Sequence, residues 1–107
     1  MAKKSFSQDV VAELAQAFRL LSDETRLKIV FYLARQEQNV GSLCKILKLA
    51  QPTVSHHLGL LRMGRLIINR RNGKQVIYSL NTEMFARLRV QLIASVPNAN
   101  ALLKGKR

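Results

Sequence analysis

The amino-acid sequence predicts a mainly α fold that carries one small β-hairpin. In several stretches the apolar residues recur at spacings of three and four, which is typical of amphipathic helices. A short segment rich in β-branched residues surrounds Asn72-Gly73, the strongest short signal for a hairpin turn. With 107 residues the chain has the length of one domain, which we expect to span 1–107.

Two amphipathic helices are predicted in the first third of the chain. The first runs over 10–21 and the second over 22–34, each with an apolar stripe on one side. Candidate N-caps are Ser5, Ser7 and Asp9 for the first helix and Ser22 and Asp23 for the second. The polar residues 35–39 that follow are predicted to form a loop.

A short apolar helix, a tight turn and a fourth helix with a polar entrance are predicted next. Ser42 is predicted to cap the short helix, which ends near Leu49. Pro52 suits the first turn of the fourth helix, 51–63, because a proline there lacks only an N–H that has no partner in the helix. The residues predicted to be buried are Leu43, Ile46 and Leu47 on the third helix and Val54, Leu58 and Leu61 on the fourth.

The hairpin and a last helix complete the predicted order. Strands over 66–71 and 74–80 are expected to flank a type I′ turn, which needs a positive φ at both Asn72 and Gly73. The last helix begins at Asn81 or Thr82 and ends before Pro97. Residues 1–6 and 98–107 are expected to be flexible tails.

The charge of the chain favours a polyanionic partner. There are 18 Lys and Arg residues against 6 Asp and Glu, a formal net charge of +12. No acidic residue lies between Gln38 and Thr82, whereas seven basic residues do: Lys45, Lys48, Arg62, Arg65, Arg70, Arg71 and Lys74. A field of one sign attracts nucleic acid and speeds its association. A membrane surface is disfavoured because no long basic amphipathic helix with aromatic anchors is present.

Several other classes of protein are excluded by what the sequence lacks. No apolar run is long enough for a membrane span, and the N-terminus lacks the apolar core of a signal peptide. The single cysteine, Cys44, forms no internal disulfide and suits a reducing cytoplasm. An enzyme is not expected, since the chain has no phosphate-cradling glycine loop and no carboxylate pair near a histidine. No cofactor is expected either.

Together these elements have the layout of a winged helix-turn-helix that reads double-stranded DNA through the helix 51–63 and the wing 66–80. The candidate DNA-binding residues are Gln51, Pro52, Thr53, Ser55, His56, His57, Arg62, Arg70, Arg71 and Lys74. For His57, which lies near the buried stripe, a hydrogen bond to the scaffold is as plausible as a phosphate contact. For Tyr78, core packing is favoured over stacking on a base.

From Phe18 to Glu83 the chain resembles the ArsR/SmtB family of winged-helix repressors. The matching segments are 21–29 (LSDETRLKI), 51–58 (QPTVSHHL), 70–74 (RRNGK) and 78–81 (YSLN), in the same order and spacing. The resemblance implies a homodimer, paired through its first and last helices, that binds an inverted-repeat operator. It also implies repression that an effector relieves, although the sequence does not identify the effector. The dimer-interface candidates are Val11, Leu14, Phe18, Phe85, Leu88 and Leu92.

The chain departs from this family where many members bind metal. Asn39 and Gly41 stand at the positions of a Cys-x-Cys pair, and the last helix contains no histidine and only one carboxylate, Glu83. Soft or borderline metals prefer several Cys or His ligands. No metal site is therefore expected. Cys44 is expected to be an inert small apolar residue. The alternative is a redox switch, which the neighbouring Lys45 and Lys48 would favour by stabilising the thiolate.

A second function remains open at this point. A small basic architectural protein would coat nucleic acid with little preference between sequences, whereas a repressor prefers its operator by about 10³ or more.

Overall fold

The structure, a computed structural model, describes residues 6–96. Within this range the elements are α1 (Gln8–Leu21), α2 (Glu24–Arg35), β1 (Gln38–Asn39), α3 (Val40–Leu47), α4 (Gln51–Met63), β2 (Ile67–Asn72), β3 (Gln75–Leu80) and α5 (Thr82–Ser95). The predicted mainly α fold with a hairpin is confirmed. The predicted tails lie outside the described residues except for Phe6. The predicted break at Pro97 also lies outside them.

Four helices begin at a side chain that caps a free backbone N–H. The caps are Ser7 to Val10 N (3.1 Å), Asp23 to Arg26 N (3.0 Å), Asn39 to Ser42 N (2.8 Å) and Asn81 to Met84 N (3.2 Å). Of the candidate caps, Ser7 begins α1 and Asp23 begins α2. For α3 the prediction was wrong, because Asn39 begins the helix three residues before Ser42. Ser42 lies in the first turn and donates its N–H to Asn39.

The three strands form an antiparallel sheet in the order β1-β3-β2. In the hairpin Asn72 pairs with Gln75, so the turn is centred on Gly73 and Lys74. The predicted type I′ turn at Asn72-Gly73 was wrong, since Gly73 (φ 66°) has a positive φ and Asn72 does not. A glycine with positive φ at the first central position is the type II′ pattern. Strand β1 pairs with β3 inside the segment predicted to be a loop.

The core lies between the helices and the base of the hairpin. Its buried members are Leu14, Ala17, Ile29, Val30, Leu33, Leu43, Val54, Leu58, Leu61, Leu66, Ile67 and Leu88. The inward face predicted for α4 is therefore confirmed. On α3 only Leu43 is fully buried, and Ile46 is 38% exposed rather than buried, because it lies at the edge of the stripe that Leu43 and Leu47 form.

Two residues in the left-handed backbone region stand at the ends of α3 and α4. Lys48 (φ 59°) ends α3, and Arg65 (φ 65°) follows α4. The Nδ2 of Asn81 donates to the Arg65 carbonyl oxygen at 2.8 Å, which ties this turn to the start of α5. At Gly64 an added Cβ would overlap Cδ1 of Leu20, so α1 approaches the end of α4 closely. These contacts tie the end of α4 to α1 and to the start of α5.

Candidate nucleic-acid interface

The two faces of α4 differ sharply. Val54, Leu58 and Leu61 are buried, whereas the polar side of its first two turns is exposed: Gln51, Pro52, Thr53, Ser55 and His56. The N-cap residue is Ala50, and no side chain caps the helix. The first backbone N–H groups of α4 therefore remain available at the positive end of the helix dipole, an arrangement that favours an anion such as a DNA phosphate.

The two adjacent histidines of α4 have different surroundings. His56 is exposed, and its ring centroid lies 5.7 Å from that of His57. The His57 side chain is only 15% exposed, and its Nδ1 lies 3.2 Å from Arg26 Nη1 and 3.9 Å from Asp23 Oδ2. The scaffold contact considered for His57 is thus present. A phosphate contact by its other ring nitrogen stays a prediction.

Asp23 lies at the base of this cluster as the N-cap of α2. The hydrogen bond from the Arg26 backbone N–H lowers the pKa of the Asp23 carboxyl below its usual value, and the Arg26 charge adds to this effect. Partial burial acts in the opposite direction on this pKa. The Asp23 carboxylate is thus held close to His57 of α4.

The cations of the wing are not equivalent. Arg70 Nη2 lies 2.6 Å from Glu37 Oε1, an exposed ion pair that partly compensates its charge. Arg71 and Lys74 are exposed, and neither forms an ion pair within residues 6–96. Because successive residues of a strand point to opposite faces, Arg70 and Arg71 face different sides of the hairpin. Arg71 and Lys74 are therefore the uncompensated wing cations.

The end of α4 contributes a second pair of cations. Arg62 and Arg65 are both exposed, and they border a shallow groove between α4 and β2 that Asn69 and Asn81 also line. This groove extends the positively charged surface from α4 toward the hairpin. Phosphate contacts by Arg62 and Arg65 were expected from the sequence, and they stay predictions; the structure places the two side chains on the same groove.

Asn39 connects α3 to the wing, a role that the sequence analysis missed. Its Oδ1 accepts the N–H of Ser42, while its Nδ2 donates to Oε1 of Gln75 at 2.9 Å. A single amide side chain thus holds the start of α3 and the first residue of β3. The sequence carried no signal for this link beyond the tendency of asparagine to cap helices.

An apolar groove runs between α1 and α5, on the elements expected to pair two chains. Of the interface candidates, Val11, Phe18 and Leu92 are exposed, and Phe18 is exposed by 52%. Phe85 is half-buried. Leu14 and Leu88 line the floor of the groove and are buried within the chain itself, so intrachain packing already accounts for them.

The described part of the chain, residues 6–96, contains no cluster of three or more Cys, His, Asp or Glu residues that could hold a metal ion. Cys44 is half-buried and packs against the core. In the same range no helix is both long and apolar enough to cross a membrane.

Comparison with known proteins identifies the family. Residues 23–68 match the model of the bacterial regulatory proteins of the arsR family. The HTH-type transcriptional regulator KmtR of Mycobacterium tuberculosis is 34% identical over 91 residues, which are 85% of this chain and 70% of that protein. The chain belongs to the ArsR family. The resemblance seen in the sequence is thereby confirmed, and this ArsR-family chain is a DNA-binding transcriptional regulator.

Other relatives support the same assignment. The arsenical resistance operon repressor of Escherichia coli is 46% identical over 67 residues, which cover 62% of this chain and 57% of that protein. The solution structure of the homodimeric winged helix-turn-helix DNA-binding domain Mb0332 from Mycobacterium bovis superposes with a TM-score of 0.69 at 30% identity, covering 88% of this chain and 90% of that one. The ArsR-family fold described above is thus a winged helix-turn-helix.

Proposed function

We propose that this chain is a homodimeric transcriptional repressor that binds an inverted-repeat operator. The division of α4 into a buried apolar face and an exposed polar entrance carries the proposal. A helix rooted in the core by Val54, Leu58 and Leu61 keeps a fixed orientation, so its exposed side chains reach the major groove as one rigid unit.

Base recognition is assigned to the first turns of α4. In this position Gln51 can pair with the edge of an adenine, and Thr53 offers both a hydroxyl group and a methyl group that suits thymine. Ser55 and His56 extend the same exposed side along the helix. In helix-turn-helix proteins the N-terminal residues of the recognition helix contact the bases, which agrees with the exposure seen here.

Phosphate contacts are assigned to the cations around this helix. Arg62 and Arg65 border the groove beside β2, and Arg71 and Lys74 extend from the hairpin. Such contacts fix the orientation of a protein on the duplex without reading its sequence. Arg70 contributes after its ion pair with Glu37 is exchanged for a phosphate.

The dimer is proposed to form through the apolar groove between α1 and α5. Phe18, Val11 and Leu92 expose apolar surface there, and Phe6 and Val96 extend it. Contiguous exposed apolar surface of this kind commonly marks an interaction site. The homodimeric Mb0332 domain is a relative with the same fold. A two-fold pair of recognition helices would read half-sites about 34–36 Å apart or a multiple of this distance.

The proposal is tested by selecting duplexes from a random pool and comparing the affinity for the selected duplex with that for a scrambled one. We expect a preference of about 10³ or more and a selected sequence with two-fold symmetry. Affinity that is nearly equal for both duplexes would instead indicate an architectural protein without an operator.

A further inference from the structure

The side chain of Arg26 joins three helices. Its Nε donates to the carbonyl oxygen of Leu20, at the end of α1, at 2.7 Å. Its Nη1 lies 3.2 Å from Nδ1 of His57 on α4. Its backbone N–H donates to Asp23 Oδ2, which fixes the first turn of α2. The half-buried Arg26 is thus a direct link between the scaffold and the recognition helix.

The contact between Arg26 and His57 determines which nitrogen of the imidazole carries the hydrogen. A guanidinium group has only donors, so Nδ1 of His57 must accept the hydrogen bond. An imidazole that accepts at Nδ1 carries its hydrogen on Nε2. Among residues 6–96 that N–H has no hydrogen-bond acceptor, and it remains a donor for a group outside the chain.

We propose that Arg26 is a positioning residue for DNA binding and that it acts through His57. It holds the imidazole with the Nε2–H free to donate to a DNA phosphate, and it holds α4 in the orientation that presents Gln51 and Thr53 to the bases. The proposal rests on the operator-binding function proposed above and assigns a role to a residue that does not itself touch DNA.

The geometry explains why an arginine is needed here. Its planar fork contacts Leu20 O and His57 Nδ1 at the same time through two different nitrogens. A lysine keeps the charge, but its single nitrogen lacks the arrangement that spans both acceptors. Base readout depends on donor–acceptor distances of about 2.7–3.2 Å, so a small displacement of α4 is enough to lose it.

The experiment uses the duplex that the wild type selects from a random pool and a scrambled duplex of the same length. Affinities are measured by fluorescence anisotropy for Arg26→Lys, His57→Leu and the double variant, and thermal unfolding checks that each is folded. We expect each single variant to lose about tenfold in affinity for the selected duplex. On the scrambled duplex the loss should be at most about threefold. Arg35→Lys, an exposed position on the same helix, is the matched control and should bind like the wild type.

The double variant tests whether the two residues act as one unit. If Arg26 acts through His57, the double variant binds the selected duplex as well as the single variant that shows the larger loss of affinity. Losses that multiply, or an Arg26→Lys variant that binds the selected duplex like the wild type, would overturn the proposal. If the wild type itself does not distinguish the two duplexes, the operator-binding function fails together with this inference. If the wild type distinguishes the two duplexes but Arg26→Lys binds like the wild type, only the role of Arg26 is wrong and the operator-binding function stands.

His57→Asn separates the two parts of the proposed role and provides a readout should Arg26→Lys fail to fold. The Asn Oδ1 can accept from Arg26 in the place of Nδ1, but no donor stands in the place of Nε2. We therefore expect a melting temperature close to that of the wild type and weaker binding to both duplexes alike. Wild-type affinity in this variant would show that Nε2 donates to no phosphate.

Discussion

Glu37 Oε1 lies 2.6 Å from Nη2 of Arg70, so one of the wing's arginines is already ion-paired in the absence of DNA. We expect Glu37→Gln to strengthen binding to all duplexes alike, because Arg70 then needs no exchange of partners to contact a phosphate. An exposed ion pair contributes about 0.2–1 kcal/mol, which sets the size of the effect. Anisotropy titrations of a selected and a scrambled duplex measure it.

Glu24→Gln is the control for this prediction. It breaks a different exposed ion pair, with Lys28 inside α2, and should leave the affinity for DNA unchanged. Arg71→Gln should flatten the slope of log K against log salt by about one unit, because Arg71 has no competing carboxylate. An identical response of Glu37→Gln and Glu24→Gln would show that Arg70 does not contact DNA.

The second prediction concerns base reading by α4. Thr53→Ala should cost about 1–3 kcal/mol on the selected duplex and much less on a scrambled one, because the lost contacts are to base edges. Thr82→Ala, which changes another exposed threonine at the start of a helix, is the matched control and should bind normally. Equal losses on both duplexes would remove Thr53 from the residues that read sequence.

The sequence predicted the helices and the hairpin because each has a strong local pattern. Val54, Leu58 and Leu61 recur at helical spacing, and all three are buried. Strand β1 could not be predicted, because a strand of two residues is too short to show an alternation of polar and apolar side chains. Its partner β3 also lies far along the chain. The choice of Asn39 over Ser42 as the cap of α3 also depends on a tertiary contact, because the Asn39 amide also bonds Gln75.

The sequence indicates which residues of the candidate site are exposed, but it does not indicate the contacts that these residues make with the rest of the chain. The exposed entrance of α4 follows from the spacing of its polar residues. The Glu37–Arg70 ion pair does not follow from the sequence. Glu37 precedes the stretch that lacks acidic residues, and only the fold brings it close to the wing. Likewise, the His57 contact joins two helices at a distance that only packing determines. The positive φ of Lys48 and of Arg65 could not be predicted either, because glycine is the usual residue in the left-handed backbone region.

The third prediction concerns the pairing of two chains. Phe18→Glu should convert the dimer to a monomer and abolish high-affinity operator binding while the chain stays folded, because this side chain is 52% exposed. Leu14→Glu should unfold the chain instead, since it buries a carboxylate in the core. Sedimentation and thermal unfolding distinguish the two outcomes.

Phe31→Glu is the control for Phe18→Glu. Phe31 is 58% exposed on α2, away from the groove between α1 and α5, so this variant should sediment like the wild type. A Phe18→Glu chain that remains dimeric at micromolar concentration would place the interface elsewhere.

The fourth prediction follows from the lowered pKa of Asp23. A carboxyl whose pKa is lower in the folded state stabilises the fold above its unfolded pKa of about 3.8, and this contribution is lost as the pH falls through the folded value. Asp23→Asn keeps an oxygen for the cap but loses the charge, so it should be less stable than the wild type at neutral pH. The difference should narrow as the pH falls below about 4.

Asp23→Ala provides the comparison, because it removes the cap as well as the charge. It should lose about 1 kcal/mol more than Asp23→Asn at neutral pH, and this cap-dependent part should remain in acid. Unfolding by urea across the pH range measures both contributions. Parallel curves for the wild type and Asp23→Asn would contradict a charge contribution from Asp23.

The last prediction concerns metal and oxidant as signals for release from DNA. Cys44 is half-buried against the core, and the described residues 6–96 hold no group of three candidate ligands. Thiolate sensors rely on several ligands for a metal or on a resolving cysteine for oxidation, and this sequence has one cysteine. We therefore expect neither stoichiometric zinc nor mild peroxide to release the wild type from a selected duplex, and Cys44→Ala to bind that duplex normally. Gel-shift titrations with EDTA-treated protein measure both responses. Release by zinc, or a peroxide response that Cys44→Ala abolishes, would show that the chain senses its signal through this thiol or a metal after all.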